Sequence, residues 1–148
     1  MVKRKKNIRI RDAFLGMLLA LSLETQVGRD AMSQEMPSGG VIQSGDASIT
    51  GHGTNHLIID QKSDKSIIKW NSFSIHSGGR VDFNQPSASS FSLNRVTGST
   101  PSRIAGQLNS NGKVMLINPN GVVITPNGVV NTGSFTASTL NIKNEDFL

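Results

Sequence analysis

The 148 residues of this chain are enough for one domain with a modest core, and the absence of cysteine excludes disulfides and thiolate metal sites. Most of the formal net charge of +5 comes from the first 33 residues, which hold seven of the 15 basic residues and three of the 10 acidic ones. The remainder is nearly neutral and lacks the basic patch of a nucleic-acid-binding protein.

The chain begins with a cationic segment, which is followed by an apolar run from Ala13 to Leu23. This run is too short to span a bilayer as a helix. Its charged and apolar residues lie in separate blocks, which is typical of a secretory signal peptide and not of an amphipathic surface helix. Ala31-Met32-Ser33 is a small-x-small cleavage signal. We therefore expect residues 1–33 to be a Sec-type signal peptide, read by the Sec translocon, and residues 34–148 to be the exported domain.

Residues 34–148 carry short apolar bursts bounded by Gly, Pro or Asn, a pattern that predicts many short strands. Alternation with a period of two marks several of them: Ala47 and Ile49, Ile68 and Trp70, Val81 and Phe83, Phe91 and Leu93. The parity shifts between Trp70 and Phe73, which predicts a bulge or a corner. The best helical candidate is "SRIAGQL", with Ser102 as a possible N-cap. A sandwich, a barrel and a solenoid all fit this pattern, and the composition suits a solenoid well.

The pentapeptide PNGVV occurs twice, within "NPNGVVITPNGVV". Proline followed by Asn-Gly has the chemistry of a tight turn, so we predict turns at residues 118–121 and 125–128. The strand between them, Val122 to Ile124, is apolar at every position. A solenoid coil takes about 20 residues or more. The two copies of PNGVV are closer together than that, so they mark two corners and not two structural repeats.

Chemistry typical of enzymes and metal sites is not evident. In an extended strand His52 and His56 would stand about 13 Å apart, too far to share a zinc ion with bonds of about 2.1 Å. No nucleophile elbow, P-loop, dinucleotide fingerprint or paired-carboxylate spacing is present, so we expect no catalytic residues, no metal and no cofactor. Trp70 is interpreted as a core anchor. Arg95 and Arg103 are interpreted as solvated, or as donors to a loop carbonyl or a partner carboxylate.

Four stretches in order carry a family resemblance: "MPSGGVIQSGDASI", "IIKWNSFSIHSGGRVDFNQPSASSFSLNRVTG", "PSRIAGQLNSNGKVMLINPNGVVI" and "NTGSFTASTLNIKNEDFL". Together they resemble the N-terminal secretion domain of filamentous haemagglutinin-type exoproteins of bacterial two-partner secretion. The resemblance covers about residues 36 to 148. The family's N-P-N-G motif falls on Asn118, Pro119, Asn120 and Gly121.

This resemblance implies an all-β fold, a right-handed parallel β-helix with an N-terminal cap and additional short antiparallel strands. It also implies a non-enzymatic role in secretion. An outer-membrane β-barrel transporter of a Gram-negative bacterium would recognise the domain through periplasmic polypeptide-transport-associated domains and export it to the cell surface or medium. A further N-x-x-L motif of some members has no counterpart here. Since the family's domain is longer, we expect a fragment, a truncated product or a short stand-alone member, with an open last coil that makes it marginally stable.

Two questions stay open at this point. The asparagines of the N-P-N-G turn either hold the coil through backbone hydrogen bonds or touch the transporter, and "KVMLIN" and "GVVIT" are candidate strands for addition to a transporter sheet. The alternative functions are an adhesin that binds the host-cell surface directly and a β-helical polysaccharide-active enzyme.

Overall fold

The computed structural model describes residues 35–148. The predicted signal peptide and its cleavage signal lie outside the described residues. Within the described range, no helix is long and apolar enough to cross a membrane. The described residues belong to one compact unit, which runs from Gln34 to Leu148.

This part of the chain is built from short strands and one helical turn. The strands are β1 (Val41–Ser44), β2 (Ala47–Thr50), β3 (His56–Gln61), β4 (Lys65–Trp70), β5 (Arg80–Asn84), β6 (Phe91–Val96), β7 (Ser102–Ile104), β8 (Gln107–Ser110), β9 (Lys113–Ile117), β10 (Val122–Ile124), β11 (Val129–Asn131) and β12 (Ser134–Ser138). The helical turn is α1 (Asn144–Phe147).

The strands stack as successive coils of a parallel β-helix, which confirms the predicted fold class. Sheet 1 has the order β1-β4-β6-β9-β12 and sheet 2 the order β2-β3-β5-β8-β11. The third face consists of β7 and β10, preceded by a bridge between Ile75 and Ile104. Pairing between coils is parallel and in register, so that side chains of equivalent positions form rows along the helix.

The first two strands close the N-terminal end of the core. Strand β1 runs antiparallel to β4, with a bulge between Ile42 and Ser44, and β2 runs antiparallel to β3. Ile42 and Ile49 are partly buried and pack against the core of the first coil. The expected cap with antiparallel strands is therefore present.

The core is formed by the inward-facing member of each alternating pair. Trp70 is fully buried, as predicted, and packs edge-to-face on Phe73 with ring centroids 5.4 Å apart. The parity shift between these residues is the predicted corner, because the chain leaves sheet 1 at Trp70 and reaches the third face by Ile75.

The helix predicted for "SRIAGQL" is wrong, since these residues form β7, a corner and the start of β8. The backbone amides of Ala105 and Gly106 both donate to the carbonyl of Ile75 in the preceding coil, at 2.8 and 3.0 Å. A Cβ on Gly106 would lie 2.3 Å from the carbonyl oxygen of Gly79. Hydrogen bonding and close stacking between coils thus override a weak local helix preference.

Candidate functional site

The N-P-N-G motif forms a corner directly after β9, and we call residues 118–121 the N-P-N-G corner. The Gly121 amide donates to the Asn118 carbonyl at 3.0 Å, which closes the predicted turn. Gly121 has a φ of +110°, in the left-handed region that favours glycine. The second predicted turn is also present, closed by the Gly128 amide donating to the Thr125 carbonyl at 2.9 Å.

Asn118 is fully buried and every polar atom of its side chain is hydrogen-bonded. Its Nδ2 donates to the Thr100 carbonyl at 3.0 Å and to the Ser102 hydroxyl at 2.9 Å. Its Oδ1 accepts from the Asn120 amide at 3.0 Å. Its backbone amide donates to the Ser138 carbonyl at the end of β12. One residue therefore ties together the preceding coil, its own corner and the following coil.

Pro119 and Asn120 lie on the outside of the same corner, and both are exposed. The Asn120 side chain donates to the Gly98 carbonyl at 2.8 Å. The corner thus presents Pro119 and Asn120 to solvent, whereas Asn118 faces inward. The two asparagines that sequence reasoning treated together occupy different environments.

A cleft of about 430 Å³ adjoins the N-P-N-G corner. Its lining includes Arg95, Thr97, Ile117, Pro119, Asn120 and Asn141. Ile117 supplies a buried apolar wall, and the asparagines and Arg95 bring hydrogen-bonding groups. Such a mixture suits a peptide segment better than a small apolar ligand.

Arg95 donates from all three guanidinium nitrogens. Its Nε donates to Asn141 Oδ1 at 2.8 Å, Nη2 donates to the Ile142 carbonyl at 2.5 Å, and Nη1 donates to Asn144 Oδ1. The interpretation of Arg95 as a donor to a loop carbonyl is confirmed. Arg103 is exposed, in keeping with its interpretation as solvated.

The two strands suggested for partner addition differ in their free edges. Strand β9, within "KVMLIN", lies between β6 and β12, so neither of its edges is open to a partner and that suggestion is wrong for the folded domain. Strand β10, within "GVVIT", pairs only with β7. Its Val123 and Ile124 are 52% and 47% exposed.

A polar cluster lies on the outer face of sheet 2. Asp82 Oδ2 lies 2.6 Å from His56 Nε2 and accepts from Arg80 Nε at 2.8 Å, while Asp82 Oδ1 accepts from Asn109 Nδ2 at 2.8 Å. His52 is exposed and outside this cluster. Across residues 35–148, no group of three His, Asp or Glu side chains has the arrangement of a metal site.

The environment of Asp82 shifts its pKa in two opposing ways. Partial burial raises the pKa of the carboxyl, and the hydrogen bond from Arg80 lowers it. Hydrogen bonds from Asn109 and His56, together with the charge of Arg80, lower it further, so that the pKa lies below its ordinary value of 3.8.

We expect Asp82→Asn to lower the free energy of unfolding at about pH 7 by less than about 1 kcal/mol, because solvent screens the exposed charged partners of Asp82, Arg80 and His56. Since the folded-state pKa is depressed, the stabilisation is present above pH 3.8 and is lost as the pH falls through the folded-state pKa. Urea unfolding at several pH values should show the difference between parent and variant vanish in acid. A difference that stays constant with pH would show that the Asp82 charge is not its source.

Comparisons with known proteins give consistent results. A family model described as "TPS secretion domain", where TPS stands for two-partner secretion, matches residues 33–148. A heme/hemopexin-binding protein of Haemophilus influenzae strain Rd is 38% identical over 130 residues, which cover 87% of this chain and 14% of that protein. Another H. influenzae protein of the same description is 40% identical over 87 residues, covering 59% of this chain and 9% of that protein. The chain therefore spans only a small part of the length of these relatives.

A solved structure supports the same comparison. The crystal structure of the HMW1 secretion domain from H. influenzae superposes with a TM-score of 0.70 at 42% sequence identity. The match covers 74% of this chain and 29% of that chain. Both the sequence and the fold of the described unit are thus similar to those of a secretion domain.

Proposed function

The chain belongs to the TPS secretion domain family, and from that membership we propose that residues 34–148 are the segment by which an exoprotein is selected by its cognate outer-membrane transporter. The observation that carries this proposal is the family match over residues 33–148, which coincides with the whole folded unit. Domains of this family serve secretion and targeting and not catalysis.

The same membership supports a route of export, because TPS exoproteins are secreted by Gram-negative bacteria. We propose that residues 1–33 are a Sec signal peptide and are removed in the periplasm. The remaining domain meets the periplasmic polypeptide-transport-associated domains of the transporter there and leads the protein to the cell surface or medium.

Within the site, we assign a structural role to Asn118 and a contact role to the outer residues of the N-P-N-G corner. Burial and complete hydrogen bonding of the Asn118 side chain support the first assignment. Exposure of Pro119 and Asn120 beside the cleft supports the second. The corner also fixes the adjoining β10, since the Ser102 amide donates to the Gly121 carbonyl at 2.9 Å.

Binding of the purified chain from Gln34 to the periplasmic domains of its cognate transporter tests the proposal. Calorimetry should show saturable binding, and the periplasmic domains of a transporter for an unrelated exoprotein should give none. Equal binding to both, or to neither, would refute selection by this domain.

The double substitution Pro119→Ala and Asn120→Ala should weaken this binding by about tenfold, equivalent to about 1.4 kcal/mol. Both side chains are exposed, so the thermal unfolding midpoint should move by only a few degrees. The matched control is Thr50→Ala, an exposed position on β2, at the opposite end of sheet 2 from β11. Unchanged affinity in the double variant would remove the contact role of the corner.

A host-binding adhesin is the second candidate function. It is supported by the description of the curated relatives as heme/hemopexin-binding proteins. Titration of the purified chain with haemin, followed by the Soret absorbance, and with hemopexin, followed by calorimetry, tests whether this segment itself binds either ligand. Saturation would support that candidate, and its absence would leave secretion as the function of residues 34–148.

A further inference from the structure

The outer face of sheet 1 combines an apolar centre with a basic rim. Alternation along the strands directs Ile68, Trp70 and Val96 into the core, and directs their neighbours Ile67 and Leu93 outward. We define the outer face of sheet 1 by the outward residues of three strands: Lys65, Ile67, Lys69, Phe91, Leu93, Arg95, Lys113, Met115 and Ile117.

This face carries four cations and no carboxylate. The strands β4, β6 and β9 contain no Asp or Glu, and the salt bridges of residues 35–148 involve only Asp82. Lys69 and Arg95 are paired directly across β4 and β6. Like charges in such positions repel each other, so an anionic ligand on this face would be stabilising.

Part of the face is covered by the end of the chain, residues 139–148, which we call the strap. Phe147 is 7% exposed and packs on Ile67, Leu93 and Ile117. Its ring makes an edge-to-face contact with Phe91, with centroids 4.9 Å apart.

Cations of the face hold the backbone and amide groups of the strap. Lys65 Nζ lies 5.6 Å from the Phe147 ring centroid and donates to the Phe147 and Leu148 carbonyl oxygens, at 2.8 and 2.9 Å. Arg95 donates to Asn141, Ile142 and Asn144. The strap has an aromatic anchor, Phe147, directly preceded by Glu145 and Asp146, and it carries one base, Lys143.

The strap is a weak occupant of this face. Helix α1 is a single turn without a side-chain N-cap bond, and a helix of that length is stable only where it is docked. Arg95 meets only neutral acceptors in the strap, and hydrogen bonds to a carboxylate are about twice as strong as such bonds. An acidic segment that pairs its carboxylates with the rim would therefore gain charge-assisted hydrogen bonds that the strap does not make, and these offset part of the strap's advantage of being tethered.

We propose that the outer face of sheet 1 is a docking surface for an acidic peptide segment with an aromatic anchor, contributed by the transporter's periplasmic part, and that the strap occupies it in cis. This inference rests on the proposed function for the identity of the partner. Binding requires the strap to leave, and the rim lysines Lys69 and Lys113 then meet carboxylates of the incoming segment.

The surface itself is tested with a fluorescent peptide of the strap sequence, NIKNEDFL, added to the purified chain from Gln34. Phe147→Ala removes the anchor of the resident strap, so this variant should bind the peptide at least about tenfold more tightly than the parent. Adding Lys69→Glu and Lys113→Glu should reverse that gain, because the altered rim repels the acids of the peptide. A peptide with alanine in place of phenylalanine should not bind, because it lacks the aromatic anchor. Equal binding in all combinations, or none in any, would overturn the proposal.

The partner is tested by titrating the transporter's periplasmic domains with the same variants. The Phe147→Ala chain should bind more tightly than the parent, and the triple variant more weakly than Phe147→Ala alone. Identical binding of all three chains would place the contact elsewhere and overturn this inference while leaving the proposed function intact. Absence of binding by the parent and every variant would instead overturn the proposed function. In a last experiment the same chains are mixed with vesicles that contain phosphatidylglycerol. Binding to the vesicles without binding to the peptide would identify a membrane contact and reject the proposal.

Discussion

Replacement of Asn118 by alanine is expected to lower the free energy of unfolding by about 2–3 kcal/mol and to abolish export. The change leaves the buried hydroxyl of Ser102 without its partner, and an unsatisfied buried group costs about 1–3 kcal/mol. It also removes the part-buried hydrogen bonds to the Thr100 carbonyl and from the Asn120 amide. Relaxation and water entry offset part of the sum. Urea unfolding followed by the fluorescence of the single tryptophan, Trp70, measures the loss.

Asn120→Ala is the matched control, because it alters the same corner at an exposed side chain. It removes the hydrogen bonds from Asn120 Nδ2 to the Gly98 carbonyl and to Asn118 Oδ1, and should cost about 1 kcal/mol because the side chain is exposed to water. If Asn118→Ala unfolds at the same urea concentration as the parent yet no longer binds the transporter, the structural role assigned to Asn118 is wrong.

Trp70→Ala should cost about 3–5 kcal/mol, the largest loss we expect from a single substitution in the core. Trp70 is fully buried, packs on Phe73, and donates from its indole nitrogen to Asn94 Oδ1 at 2.9 Å. The variant therefore loses packing and also leaves a buried amide oxygen unpaired. Thermal unfolding followed by circular dichroism is the appropriate measurement, since the fluorophore is gone.

Two controls separate the parts of this effect. Trp70→Phe keeps most of the apolar volume but loses the hydrogen bond, and should cost about 1–3 kcal/mol. Leu140→Ala alters a side chain that is 78% exposed and should stay within about 0.5 kcal/mol. A Trp70→Ala chain as stable as the Leu140→Ala chain would show that the first coil does not depend on this core.

Local patterns predicted much of the fold. Period-two alternation of apolar residues identified the strands around Ile68, Val81 and Phe91. The Pro-Asn-Gly sequences identified the turns in both copies of PNGVV. The incorrect helix at "SRIAGQL" has a clear cause, because its backbone partners lie on Ile75 and Gly79, more than twenty residues earlier. Hydrogen bonds between successive coils join residues that are far apart in the sequence, so no local sequence pattern predicts them. The helix propensity of a short segment is too weak to outweigh these hydrogen bonds.

The sequence predicted where the N-P-N-G corner lies, but not that Asn118 is buried while Asn120 is exposed. Sequence alone placed the N-P-N-G corner, whereas the burial of Asn118 depends on Thr100 and Ser102 from the preceding coil. The strap and helix α1 were missed because their contacts, such as Arg95 with Asn141, join residues more than forty positions apart. One signal was available, since "KSIIKW", "FSLNRV" and "KVMLI" each carry an apolar residue at the third position and at least one basic residue at the first or fifth.

The most direct test of the central claim is a secretion assay. The chain from Met1 is expressed in a Gram-negative host with and without its cognate transporter, and the amounts in the periplasm and in the medium are measured by quantitative immunoblot. We predict that the chain reaches the medium only when the transporter is present, and that the Asn118→Ala chain does not. Retention in the periplasm with and without the transporter, or release that does not depend on it, would contradict the assignment of residues 34–148 as the domain that directs export.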